Sequence, residues 1–101
     1  MKNEKDVKAE IRRVLDSFTN IFYYMPVPTG YGVRGIPDFI VCLEGDFIGI
    51  EAKFGNNKES LWQKKQGAAI TASWGLYLVV NNRNVAELRG ILEDITPYKT
   101  L

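Results

Sequence analysis

The sequence predicts an α/β domain, a mixed sheet flanked by helices in the order α-β-β-β-α-β-α. Three observations carry that expectation. Apolar residues recur at helical spacing near the N-terminus, two strand-like runs meet at a tight turn in the middle, and two helix-start signals bracket a short apolar run. The 101 residues are one domain's worth of chain, 1–101, with no repeat, low-complexity tract or linker to divide it. Hydrophobic residues at 46% and charged residues at 25% exclude a disordered or fibrous chain.

Val7, Ile11, Val14, Leu15 and Phe18 mark one face of a helix over residues 4–17, with Asn3 as its N-cap and Asp6 three residues on. Residues 21–25 are aromatic and apolar and read as a short strand. Residues 26–35, rich in Gly and Pro, form a loop. Residues 38–43 and 46–53 then pair as a hairpin around a two-residue Glu44-Gly45 turn. A polar loop over 54–58 leads to Ser60, which with Gln63 makes a capping box for a helix reaching Ser73, stopped by Gly75. Residues 76–80 are nearly all apolar, as expected of a strand covered on both faces. Asn84 and Glu87 give a second capping box, for a helix carrying Val85, Leu88, Ile91 and Leu92, with Pro97 beyond its end.

Composition narrows the chemistry. Thirteen Lys and Arg against 12 Asp and Glu leave a net charge of +1, so any nucleic-acid binding must come from how charges are distributed. The single Cys42 excludes an internal disulfide and a cysteine metal site, and reads as a small core residue. Histidine is absent, which excludes a His-based triad and His-ligated zinc. Proton and metal work falls to carboxylates, Lys, Tyr or Gln. The charged N-terminus and the lack of a membrane-length apolar run point to a soluble, cytoplasmic protein with no membrane partner.

The informative stretch is Gly35-Ile-Pro-Asp38 followed by Ile50-Glu-Ala-Lys53. Glu51 and Lys53, two apart on a strand, share a face. A two-residue turn pairs Leu43 with Asp46, and the same register carried back sets Asp38 opposite Glu51. The two carboxylates then stand about 4.5–5.5 Å apart at Cβ, which is destabilising unless one is protonated or a cation lies between them. Phe39, Val41, Ile48 and Ile50 around them imply a buried sheet and sharpen that cost. An oxygen-seeking ion, Mg²⁺ or Mn²⁺, is the natural occupant. Either motif alone has a plainer reading, since Pro-Asp can start a strand and Glu-x-Lys can be a solvated pair; the ordered combination argues for a site.

Asp38, Glu51 and Lys53 resemble the motif of the PD-(D/E)xK nuclease superfamily, whose restriction-endonuclease-like core has the α-β-β-β-α-β order read above. More narrowly, Arg34-Gly-Ile-Pro-Asp38, Glu51-Ala-Lys53 and Ser60-Leu-Trp-Gln63 resemble the VRR-NUC nuclease domain, in its short standalone phage and bacterial form. The resemblance runs from about Glu4 to the strand at 76–80. It implies a divalent-metal-dependent DNA endonuclease, similar to Holliday-junction resolvases, acting as a homodimer on branched DNA such as four-way junctions in a bacterial or phage-infected cell. Asp38 and Glu51 would hold the metal, joined by Glu4 and the carbonyl of Ala52. Lys53 would orient or activate water, or stabilise the transition-state anion. Glu4 is the expected helix carboxylate and projects within the stripe of Val7, Ile11 and Leu15, with Glu10 nearer its margin as the alternative. The family pattern points to Gln63, with Gln66 on the apolar face of Trp62, Ala69, Ile70 and Ser73 as the other candidate.

For DNA binding, Arg34 and Tyr31 in the Gly-rich loop are placed to hold a phosphate or stack on a base. Lys5, Lys8 and Arg12 share a face of the first helix, and Lys58, Lys64 and Lys65 gather around the second. Trp62, Trp74 and the Tyr23-Tyr24 pair are an apolar surplus suited to a dimer interface. Two other classes compete with the nuclease: a non-catalytic nucleic-acid-binding module on the same fold, and a small α/β interaction protein in which the Gly-rich loop is only a turn.

Overall fold

A computed structural model describes residues 1–95; the position of Pro97 lies outside the described residues. Helix α1 (Glu4–Asp16) begins at Asn3, whose side chain accepts the N–H of Asp6, and it buries Val7, Ile11, Val14 and Leu15. The strands β1 (Ile21–Tyr24), β2 (Phe39–Leu43), β3 (Asp46–Ala52) and β4 (Leu76–Val80) form one mixed sheet in that order. β1, β2 and β3 are antiparallel neighbours, whereas β4 runs parallel to β3 because α2 (Leu61–Ala72) carries the chain back across the sheet. The order of elements and the flanking helices follow the sequence reading.

The hairpin register is the one the two-residue turn dictates. Leu43 pairs with Asp46 and Phe39 with Ile50. Glu44 and Gly45 take φ of 50° and 90°, the left-handed pair that a turn of this twist requires and that glycine adopts freely at its second position. Alternation then sorts β2 and β3 into two faces. Phe39, Val41, Leu43, Ile48, Ile50 and Ala52 are buried with the α1 stripe and with Val85, Leu88 and Leu92. The other face is covered by α2 only toward β3 and β4, where Gly49 comes against Ile70 and Pro37. Across β1, β2 and the start of β3, α2 leaves that face uncovered, and Phe22, Tyr24 and Phe47 are exposed.

Several details depart from expectation. Cys42 is exposed rather than a core residue, because its parity puts it on the bare face of β2. β4 is an edge strand and only half-buried up to Val80, so it is not fully covered on both faces. The helix before it does not stop on glycine. Trp74 takes the left-handed position at φ 68°, with its N–H on the Thr71 carbonyl and the Gly75 N–H on that of Ile70. The second capping box does not form. The Asn84 side chain is turned to the Asn81 N–H and the Val79 carbonyl, and the chain enters α3 (Leu88–Ile95) through a 3-10 turn, Val85–Glu87. Tyr23 packs on Phe39 and donates to Asp16, so it belongs to the core side rather than to a free interface.

Candidate active site

The end of the hairpin away from its turn gathers the polar residues. Asp38 stands just outside the β2–β3 ladder, and its Oδ2 accepts the N–H of Ala52 at 2.8 Å, substituting for a backbone acceptor. Its other oxygen, Oδ1, lies 3.4 Å from Lys8 Nζ, which in turn stands 3.7 Å from Glu4 Oε2. Pro37, fully buried against the site where a Gly49 side chain would stand, fixes the approach to Asp38.

Glu51 is the single buried charged residue among the described residues, 2% exposed on β3. Its Oε2 accepts the Gln63 amide at 2.7 Å and faces Lys53 Nζ at 3.5 Å. Its Oε1 is buried with no hydrogen-bond partner among the described residues. Burial, and next the charge of Asp38, push the Glu51 carboxyl up to about 7, while Lys53 pulls it back. A carboxyl with one satisfied oxygen and one bare one, beside a second carboxylate, carries a deficit that a proton or a cation would fill.

Gln63 does two jobs at once. Its Oε1 accepts the Ser60 N–H at 2.8 Å while its own N–H reaches Ser60 Oγ, so the capping box is complete, and its amide nitrogen remains free for Glu51. Helix capping thereby aims the site's amide. Gln66 is elsewhere, facing an apolar hollow with Ile36, Phe47 and Ile70. Glu10 is paired with Arg13 and is not at the site, whereas Glu4 reaches it through Lys8.

No group of three or more His, Cys, Asp or Glu side chains comes together among the described residues, so Glu4 does not complete a three-carboxylate set with Asp38 and Glu51. Asp38 and Glu51, near enough for the charge of Asp38 to raise the Glu51 carboxyl, suit Mg²⁺, which is commonly held by one or two carboxylates and keeps waters and substrate phosphate as its other ligands. Among the described residues the Oε1 of Glu51 has no hydrogen-bond partner and the Oδ1 of Asp38 faces the Lys8 ammonium, a donor set that fits such an ion.

Models of known protein families and the curated proteins offer no match to this chain.

Of the residues singled out for DNA, Arg34, Tyr31 and Lys8 line one open groove of about 780 Å³ whose wall includes Asp38. Lys58 and Lys64 are exposed and outside its lining. Two contacts lay beyond the sequence reading. Lys8 reaches Asp38, for which its i,i+4 spacing from Glu4 was the available signal. The Arg34 guanidinium lies over Trp62, a pairing between loop and helix that no local spacing announces. No helix among the described residues is long and apolar enough to cross a membrane.

Proposed function

We propose that this protein is a divalent-metal-dependent DNA endonuclease with a restriction-endonuclease-like core, of the VRR-NUC type that Asp38, Glu51 and Lys53 resemble. The observation that carries the reading is the buried Glu51, with one oxygen bare, set beside Asp38 and 3.5 Å from Lys53. Structural carboxylates are normally satisfied; one left short beside a like charge is the mark of a site built for a cation. Mg²⁺ or Mn²⁺ held by Asp38 and Glu51 would supply an acidified water and neutralise charge on the phosphate.

The chain's own residues supply the rest. The Ala52 N–H fixes the Asp38 carboxylate, and the Gln63 amide fixes Glu51, so neither acid needs to reorganise. Lys53, only 15% exposed at its side chain, holds an ammonium where it can orient water or meet negative charge on a phosphate oxygen. Arg34, Tyr31 and Lys8 along the groove offer cations and a ring to the strand leading to Asp38. Action on branched DNA by a homodimer belongs to the same proposal: two sites about a two-fold axis match a four-way junction, and Phe22, exposed on the sheet outside the groove lining, offers apolar surface to a second copy.

The test is cleavage of labelled flaps, forks, four-way junctions and linear duplex with Mn²⁺, alongside light scattering. Metal-dependent cutting that favours branched DNA, at twice the chain mass of 11.5 kDa, is expected. Binding without cutting would leave the non-catalytic module in its place.

A further inference from the structure

Trp62 stands in the first turn of α2, one residue before the Gln63 that holds Glu51. The residue is 49% exposed. The Arg34 guanidinium lies 5.5 Å from the ring centroid and Lys65 Nζ 5.8 Å. The arrangement is locked rather than incidental. Gly35 has φ 81°, and a Cβ there would stand 2.4 Å from the Trp62 carbonyl carbon and oxygen, so the loop carrying Arg34 is pressed directly onto the first turn of α2. Arg34 belongs to two surfaces, since it also lines the groove whose wall includes Asp38.

A half-exposed aromatic ring with two cations over it presents, once a base displaces one of them, a flat π surface with anion-binding groups within one nucleotide's span. Single-stranded nucleic acid presents those two features together, a base and its phosphate. A base inside a duplex has both faces covered by its neighbours and cannot use the ring without leaving the stack. We propose that Trp62, with Arg34 and Lys65 beside it, is a stacking site for an unpaired base of the DNA strand whose backbone enters the groove at Asp38. The site rests on the nuclease reading for its choice of ligand, and it refines that reading: the substrate must present an unpaired or frayed nucleotide next to the position attacked.

The experiment uses the full chain carrying Trp74→Phe, so that Trp62 is the single tryptophan; Trp74 is 97% exposed and its replacement disturbs no packing. In EDTA, the protein is titrated with a thymidine oligonucleotide and with a hairpin duplex of equal charge, reading tryptophan fluorescence. Labelled-strand anisotropy is measured in parallel on Trp62→Ala and Trp62→Phe. The oligonucleotide should quench Trp62 and the duplex should not. Trp62→Ala should bind the single strand about tenfold or more weakly, the loss expected for one stacked base, and Trp62→Phe should recover most of it. Equal quenching by the duplex, or a Trp62→Ala affinity within twofold of the parent, overturns the stacking site. Because no metal is present, the two readings fail separately. Quenching by the single strand with no metal-dependent cutting removes the nuclease and supports the base site; cutting without quenching removes the base site alone.

Discussion

Replacing Glu51 with Gln separates the electrostatic cost of the buried carboxylate from its packing, because the amide keeps the shape and can still accept from Gln63. Burial first, and the charge of Asp38 second, raise this carboxyl from the ordinary 4.5 to about 7. That gap corresponds to about 3 kcal/mol between the protonation states. The sign follows from proton binding. Between the two values the folded chain holds a proton that the unfolded chain has released, so this stabilisation is full below pH 4.5 and is lost as pH rises through 7. In EDTA, Glu51→Gln should therefore lead the wild type by about 1 kcal/mol near pH 5 and by about 3 kcal/mol at pH 8. For a domain of this size that is a gap on the order of 10–20 °C in Tm. Thermal melts of both proteins from pH 5 to pH 8 give the answer, and taking their difference cancels the other titrating groups. A difference that stays constant across the range, or shrinks as pH rises, would refute a raised Glu51.

Lys53→Ala should keep Mn²⁺ binding but lose DNA cleavage; unchanged cleavage would remove its assigned role. Arg34→Ala should weaken DNA binding and reduce the slope of log affinity against log salt by about one, as expected when one phosphate contact is lost; an unaltered slope would leave Arg34 a partner of Trp62 only. Gly35→Ala combines a left-handed backbone with a Cβ 2.4 Å from the Trp62 carbonyl, and should cost about 2–4 kcal/mol in urea denaturation; a loss below about 1 kcal/mol would mean that the loop and α2 are not held together.

Much of this was legible because it is local. Asn3 and the α1 stripe, the Glu44-Gly45 turn and the Ser60–Gln63 capping box are each set by residues within a few positions, and the turn alone fixes which residues of β2 and β3 face each other. That register, carried back, sets Asp38 opposite Glu51; in the structure the ladder ends at Phe39 and Ile50, and the Asp38 carboxylate accepts the N–H of Ala52 instead. What escaped the sequence is what depends on coverage and competition. Cys42 looks like a core residue until α2 is seen to cover only part of its face. Asn84 has the side chain of a cap, yet the Asn81 N–H and the Val79 carbonyl compete for it and win. Trp74 shows that a left-handed helix end can be imposed on a bulky residue when the Thr71 carbonyl accepts its own N–H and the Ile70 carbonyl that of Gly75. Gln63 and Gln66 could not be separated by helical spacing alone, since the choice depends on where α2 sits over β3.

The most direct test of the carboxylate pair as a divalent-cation site is calorimetric titration of Mn²⁺ at pH 7, in two buffers of different ionisation enthalpy. One site is expected, with release of about half a proton per ion, because a Glu51 carboxyl near 7 is half protonated before the ion arrives. Asp38→Ala should abolish the binding. No saturable binding by the wild type, or the same binding by Asp38→Ala, would contradict the site.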